Sequence, residues 1–254
     1  MSAVPEGVTE APWLGGRLVL RQPARGRGHR AGSDAALLAA AADARPGETV
    51  VDLGAGTGAV GLALAARTAA LDVVLVEREP DLADLAAWNA AANGLVRVTV
   101  VRADILAPPR ARRAAGLVPG SADLVATNPP FLDPARARSS PVAARAAAHT
   151  AGPGGLSAWI AAAAWLLKPG GRLALIHRAD ALAECLRATS EQFGAVAVRP
   201  IHPRAEAPAS RLLLTAARGS RAPGAILPPL ILHGPDGEFL PLAAGLHAGV
   251  ALEA

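Results

Sequence analysis

Two stretches of this chain hold residue types that can act on a bound ligand. The first, "VVDLGAGTGAVGLALAAR" (50 to 67), offers a carboxylate, Asp52, then glycines at 54, 56, 58 and 61, then a run of helix formers. Glycines at this spacing let backbone N–H groups approach a ligand at the start of a helix. The second, "DLVATNPPF" (123 to 131), is an apolar run that stops on an amide, two prolines and an aromatic ring. Prolines lack the ladder donor and fix φ, so Asn128-Pro129-Pro130-Phe131 reads as a plain turn. It reads equally as a stiffened loop at the carboxyl end of a parallel strand, where open α/β sheets bind ligands.

Charge argues for the ligand of the glycine loop. Residues 56 to 61 satisfy the G-x-G-x-x-G pattern of a dinucleotide site, with Glu77 closing the next apolar run. Asp52 stands immediately before the loop, where a dinucleotide would place its pyrophosphate, and a carboxylate there repels two phosphates. S-adenosylmethionine carries a sulfonium and an ammonium and no phosphate, so for that cofactor Asp52 is favourable. Glu77 in "VLVERE" is placed to accept from the ribose hydroxyls, and Asp104 in "VRADIL" from the adenine amine, with Ile105 against the ring. Each acid alone reads as well as a cap or loop residue. Three acids at three successive strand ends favour the cofactor. The expected cofactor set is Asp52, Gly54, Ala55, Gly56, Gly58, Glu77, Arg78, Asp104, Ile105 and Asn128.

A parallel sheet is the element that can bring these residues to one rim. Apolar runs alternate with helical patterns through residues 49 to 217, which predicts strands at about 49–53, 72–76, 96–101, 122–127, 171–177, 195–200 and 210–217, with helices on both faces. Ser33 or Asp34 is expected to cap a helix running to about Asp43, Gly94 to stop another, and "KPGG" (168 to 171) to end the helix carrying Trp159 and Trp165. Those tryptophans and Trp88 read as core. "LILHGPDGEFLP" (230 to 241) reads as two short runs around a Pro-Asp-Gly turn, a terminal hairpin or appendage.

Composition bounds the classes. With 254 residues, 52% of them hydrophobic, the chain can bury a full core as one α/β domain: a basic lead-in (1–32), a core (33–220) and a C-terminal appendage (221–254). The longest apolar run, ten residues at 158 to 167, is too short to span a bilayer. The N-terminus lacks a basic n-region and an apolar h-region, and the one cysteine, Cys185, reads as a small core residue; both predict a cytoplasmic protein. The net charge is +4, with an acidic balance over residues 34 to 104 and a basic one over 105 to 178, as a cationic small ligand and a polyanion would require. Candidate phosphate contacts are Arg17, Arg21, Arg25, Arg27, Arg30, Arg110, Arg112, Arg113, Arg136, Arg138 and Arg145. A solvated face accounts for them equally well. The six histidines show no metal-ligand spacing, so no metal is expected, and His149 is the one to watch.

On Asn128-Pro129-Pro130-Phe131 together with the glycine loop, the chain resembles the class I methyltransferases of the amino-methylating kind, whose fourth strand ends in [DNS]-P-P-[YFW]. The resemblance implies a Rossmann-like, mainly parallel seven-stranded sheet in the order 3-2-1-4-5-7-6. It implies that the Asn128 side-chain oxygen and the Pro129 carbonyl accept the two N–H groups of a planar amine, with Pro130 stiffening the loop and Phe131 stacking on the ring. Such acceptors favour the pyramidal nitrogen and so free its lone pair for attack. "GHRAGSDAALLAAAA" (28 to 42), residues 148 to 182 and "LILHGPDGEF" resemble the bacterial tRNA(Val) adenine-N6 methyltransferases, whose R-x-G-[ST]-D signature implies that Gly32 and Asp34 help close the cofactor pocket. The match is looser at 105 to 121 and 132 to 150. The implied substrate is an adenine in a tRNA anticodon loop. Guanine-N2 and protein-glutamine methylation share the motif. From other classes, a nicotinamide-dependent oxidoreductase is disfavoured by Asp52, and a non-catalytic RNA-binding subunit by the intact glycine and NPPF motifs.

Overall fold

The computed structural model describes residues 3–25, 30–130 and 154–252. Its centre is a sheet of β3 (Thr49–Leu53), β4 (Asp72–Glu77), β5 (Val98–Arg102), β6 (Ala122–Thr127), β7 (Leu167–Arg178), β8 (Phe193–His202) and β9 (Arg211–Arg218), in the spatial order β5-β4-β3-β6-β7-β9-β8. Counted from β3 this is 3-2-1-4-5-7-6. Strands β3 to β7 run parallel, and β9 is antiparallel to both neighbours. Two short strands, β10 (Ala225–Ile226) and β11 (Leu230–Ile231), add to the outer edge of β8, so among the described residues the sheet has nine strands rather than the expected seven.

Side chains alternate between two cores with the two-residue period of a strand. Val50, Val73, Leu75, Leu124, Ala174 and Ile176 meet α1 (Ser33–Ala41) and α2 (Ala59–Arg67). Val51, Leu53, Val76, Val125, Leu173 and Leu175 meet α5 (Gly155–Leu166) and α6 (Leu182–Thr189). Helix α3 (Pro80–Ala92) follows β4 and α4 (Pro109–Ala114) follows β5. Among the described residues no helix is long and apolar enough to cross a membrane.

Within the basic lead-in, β1 (Val8–Trp13) and β2 (Leu18–Pro23) form an antiparallel hairpin with Leu18 and Leu20 buried. Three local expectations are corrected. Neither Ser33 nor Asp34 caps α1 through its side chain; Gly32 is the cap residue, and Asp34 pairs with Arg211 Nε at 2.9 Å. Helix α5 ends at Leu166, and "KPGG" lies inside β7, where the ladder to β6 shifts register. Lastly, the Pro-Asp-Gly turn closes only a single His233–Phe239 bridge, after which α7 (Pro241–His247) packs Leu246 into the core beside α1.

Candidate active site

Strand register brings the expected residues to one rim. Leu53 at the end of β3 lies opposite Val76 on one side and Thr127 on the other, and Glu77 lies opposite Arg102. Gly54, Glu77, Asp104 and Asn128 therefore leave neighbouring strands at about one level, with strands about 4.8 Å apart. The glycine loop is tied down along its length. The N–H groups of Gly54 and Ala55 both donate to the Val76 carbonyl (2.9 and 3.0 Å), that of Gly56 to Glu77 Oε2 (2.8 Å) and that of Gly58 to the Ala55 carbonyl (2.8 Å). Gly54 has φ +73°, and a Cβ there would come within 2.8 Å of the Trp159 ring, so neither the conformation nor the space admits a side chain. Gly61 carries α2 onto the sheet: a Cβ on it would overlap Leu75 and approach Val73 to 2.9 Å.

The carboxylates are fixed by backbone donors. Asp52 is 2% exposed, and its Oδ2 accepts from the Gly61 N–H at 2.8 Å. Burial pushes its pKa up to about 7 against the Gly61 bond, with Glu77 repelling in the same direction as burial. Buried Glu77 accepts from three N–H groups: Gly56 on Oε2, Arg78 and Glu79 on Oε1 at 2.8 and 2.9 Å. Asp104 is exposed and turns its own loop by accepting from the Leu106 N–H at 2.8 Å, while Ile105 is buried in the core with Leu53 and Val76. Arg78 pairs with Glu79 at 3.0 Å. Arg211 opens β9 opposite Arg178, the last residue of β7, so its partner Asp34 stands at the carboxyl end of the sheet, with Gly32 two residues before it; three strand spacings, about 14 Å, separate β9 itself from β3.

Asn128 follows Thr127 directly. Its Oδ1 is buried and has no hydrogen-bond partner among the described residues, and Pro129 behind it is buried as well. Buried side-chain oxygens are rarely left unpaired, so an orphaned acceptor at a ligand rim requires an explanation. Phe131 lies outside the described residues. Thr127 is fully buried; it accepts from Trp159 Nε1 at 2.8 Å and donates to the Leu53 carbonyl at 2.8 Å. Trp159 is thus both core and a buttress shared by the Gly54 turn and the strand end that carries Asn128.

Sequence reasoning missed Thr127 and Trp159 because their partners lie 32 residues apart. It also missed Asn89, whose amide reaches the Thr57 carbonyl of the glycine loop at 2.9 Å. A signal for Asn89 existed: it sits on the same buried stripe of α3 as Ala83, Ala86 and Ala90.

The basic candidates separate. Arg21 is 4% exposed, bonded to Glu10 at 2.8 Å and stacked 3.7 Å over Trp88, so it is not available to a phosphate. Arg112 and Arg113 lie over Trp165, at 4.4 and 5.6 Å from the ring, just before the amino end of β7 and hence opposite the catalytic rim. Arg17, Arg25 and Arg110 are exposed; Arg30 bonds Thr9 at 2.7 Å and the Pro23 carbonyl. Arg27, Arg136, Arg138, Arg145, His29 and His149 lie outside the described residues. Cys185 is buried, and burial pushes its thiol up to about 12, which excludes it as a nucleophile.

The residues fit a cofactor with cationic groups and no phosphate: a glycine-rich turn flanked by two buried carboxylates, Asp52 and Glu77. Comparison with known proteins agrees. A model of the methyltransferase small domain matches residues 30–200. A release factor glutamine methyltransferase of Mycolicibacterium smegmatis is 36% identical over half of this chain, which spans only 45% of that relative's length. A tRNA1(Val) (adenine(37)-N6)-methyltransferase of Aeromonas hydrophila is 32% identical over 83% of this chain and 85% of its own. Among solved structures, a predicted O-methyltransferase of Agrobacterium tumefaciens is 33% identical, covering 87% of this chain and 98% of its own, with a TM-score of 0.72.

Proposed function

We propose, for a chain that belongs to the methyltransferase small domain family and works with S-adenosylmethionine, that the methyl acceptor is an exocyclic amine of an RNA base, adenine N6 in a tRNA anticodon loop. The observation that carries this reading is the buried, unpartnered Oδ1 of Asn128, one residue beyond the strand end paired with Leu53 before the glycine loop. An amide oxygen without a donor of its own has lone pairs to offer an N–H.

In this reading Asn128 Oδ1 and the Pro129 carbonyl accept the two N–H groups of the amine and stabilise its nitrogen as it loses planarity. The resemblance assigns ring stacking to Phe131, which lies outside the described residues. Asp52 balances the cationic end of the cofactor, Glu77 holds the ribose, and Asp104 with Ile105 holds the adenine. Gly32 and Asp34 close the pocket from the far side of the rim. S-adenosylmethionine supplies a methyl group already activated by its sulfonium charge. What remains to the chain is orientation, charge placement and exclusion of water. The similarity to a tRNA adenine-N6 methyltransferase over 83% of this chain supports the RNA base as substrate. So does the physics: a base in an anticodon loop is already unpaired, so extruding it costs less than flipping one from a duplex.

A glutamine side chain is a second reading, since it also presents a planar NH₂ and release factor glutamine methyltransferases are 36% identical over half of the chain. The test is incubation of the purified protein with methyl-labelled cofactor and either unmodified total RNA or a release factor. The expected product is N6-methyladenosine in tRNA. Label in N2-methylguanosine would move the acceptor to guanine, and label in the protein alone would select glutamine.

A further inference from the structure

We infer that Asn89 is a positioning residue for the cofactor loop, tying Thr57 to helix α3 and the β1–β2 hairpin. The inference rests on the reading that the glycine loop holds S-adenosylmethionine. Asn89 is fully buried in α3, and its whole amide is used. Its Oδ1 accepts from the Arg21 N–H at 2.7 Å, and its Nδ2 donates to the Arg21 carbonyl at 3.0 Å and to the Thr57 carbonyl at 2.9 Å.

One turn along α3, Asn93 treats Val19 in the same way: its Oδ1 accepts from the Val19 N–H at 2.9 Å, and its Nδ2 donates to the Val19 carbonyl at 2.8 Å. Residues four apart share a helix face, and residues two apart present their backbone groups to the same edge of a strand. The two amides therefore stand in for a neighbouring strand along β2. They differ in one respect. Asn93 adds a bond within its own helix, to the Asn89 carbonyl at 2.7 Å, whereas Asn89 adds the bond to the glycine loop.

That bond falls where it has most to do. Thr57 lies between Gly56 (φ +56°) and Gly58 (φ +86°), and a glycine-rich turn has wide conformational freedom when unbound. Val76 and Glu77 hold the loop from the sheet side, and Asn89 holds it from α3. A loop fixed before the ligand arrives does not spend binding energy on ordering itself. The hairpin also steadies the entry to α1, because Gln22 Oε1 accepts from the Ala31 N–H at 2.8 Å, three residues before Asp34. Arg21, held by Glu10 and stacked on Trp88, fixes β2 against α3 at the point where Asn89 grips it.

The test compares binding of S-adenosylhomocysteine by calorimetry to the full chain and to Asn89→Ala and Asn93→Ala. Both variants remove an amide that docks the hairpin; only Asn89→Ala releases Thr57. The expected result is an affinity about tenfold weaker for Asn89→Ala and near wild type for Asn93→Ala, with both folded by circular dichroism. Equal affinities in all three proteins, or equal losses in the two variants, would overturn the inference. Absence of binding by the wild type would overturn it together with the cofactor assignment. Should Asn89→Ala fail to fold, amide exchange on the wild type decides: the cofactor product should slow exchange of the Arg21 amide more than that of Val19. Unchanged exchange at Arg21 would overturn it.

Discussion

The indole N–H of Trp159 donates to Thr127 Oγ1 at 2.8 Å, and the same hydroxyl donates to the Leu53 carbonyl, so one chain of bonds joins helix α5 to the ends of β3 and β6. Gly54 leaves one of those ends and Asn128 the other. Thr127→Val keeps the volume but leaves the buried Trp159 N–H without its acceptor and removes a bond to the Leu53 carbonyl. It should cost about 1 to 3 kcal/mol of stability, read as a lower urea midpoint at unchanged slope. A midpoint equal to wild type would mean that the network contributes nothing net to the fold.

The raised pKa of Asp52 gives a pH dependence of known sign. Folding lifts it from 3.8 to about 7, so the folded protein holds this proton more tightly than the unfolded chain. Its contribution to stability is therefore full below pH 3.8 and is lost as pH rises through about 7. Cofactor binding should run the other way, because a cation beside Asp52 favours the carboxylate: affinity should rise from pH 6 to 8 and binding at pH 6 should release a proton. Calorimetry in buffers of different ionisation enthalpy reads that proton. The Asp52→Asn variant should bind more weakly and lose this part of the pH response, leaving only that of the ligand's own amino group.

Salt should weaken RNA binding steeply if phosphate contacts carry it, since each neutralised phosphate releases counterions. Arg112 and Arg113, stacked on Trp165 away from the catalytic rim, should take no part. The double variant Arg112→Ala, Arg113→Ala should keep the wild-type slope of log affinity against log salt. A slope shallower by about two would place RNA across the amino end of the sheet as well.

The central strands were legible because each is a short apolar run rich in β-branched residues, bounded by glycine, proline or charge; β3 and β6 begin and end where the sequence puts them. The hairpin was not, because its buried side includes Arg21 and Gln22, whose partners Glu10, Trp88 and Ala31 are supplied only by folding. The site divides similarly. Asp52 and Glu77 could be picked out, with Asp104, as acids at three successive strand ends, a grouping that argues for a ligand where no single acid would. The backbone donors that fix them, and the Asn89 amide that holds Thr57, are three-dimensional facts with at most a faint trace in the chain.

The central claim concerns the free oxygen of Asn128. Removing a preorganised acceptor that strengthens only in the transition state lowers turnover and leaves cofactor binding intact. The direct measurement is single-turnover methylation of unmodified tRNA by wild type and Asn128→Ala, with S-adenosylhomocysteine affinity and circular dichroism measured on the same samples. The account predicts a rate lower by about 10² to 10³ at unchanged affinity and fold. A folded Asn128→Ala protein that methylates at the wild-type rate would contradict it and reduce Asn128-Pro129-Pro130 to a turn.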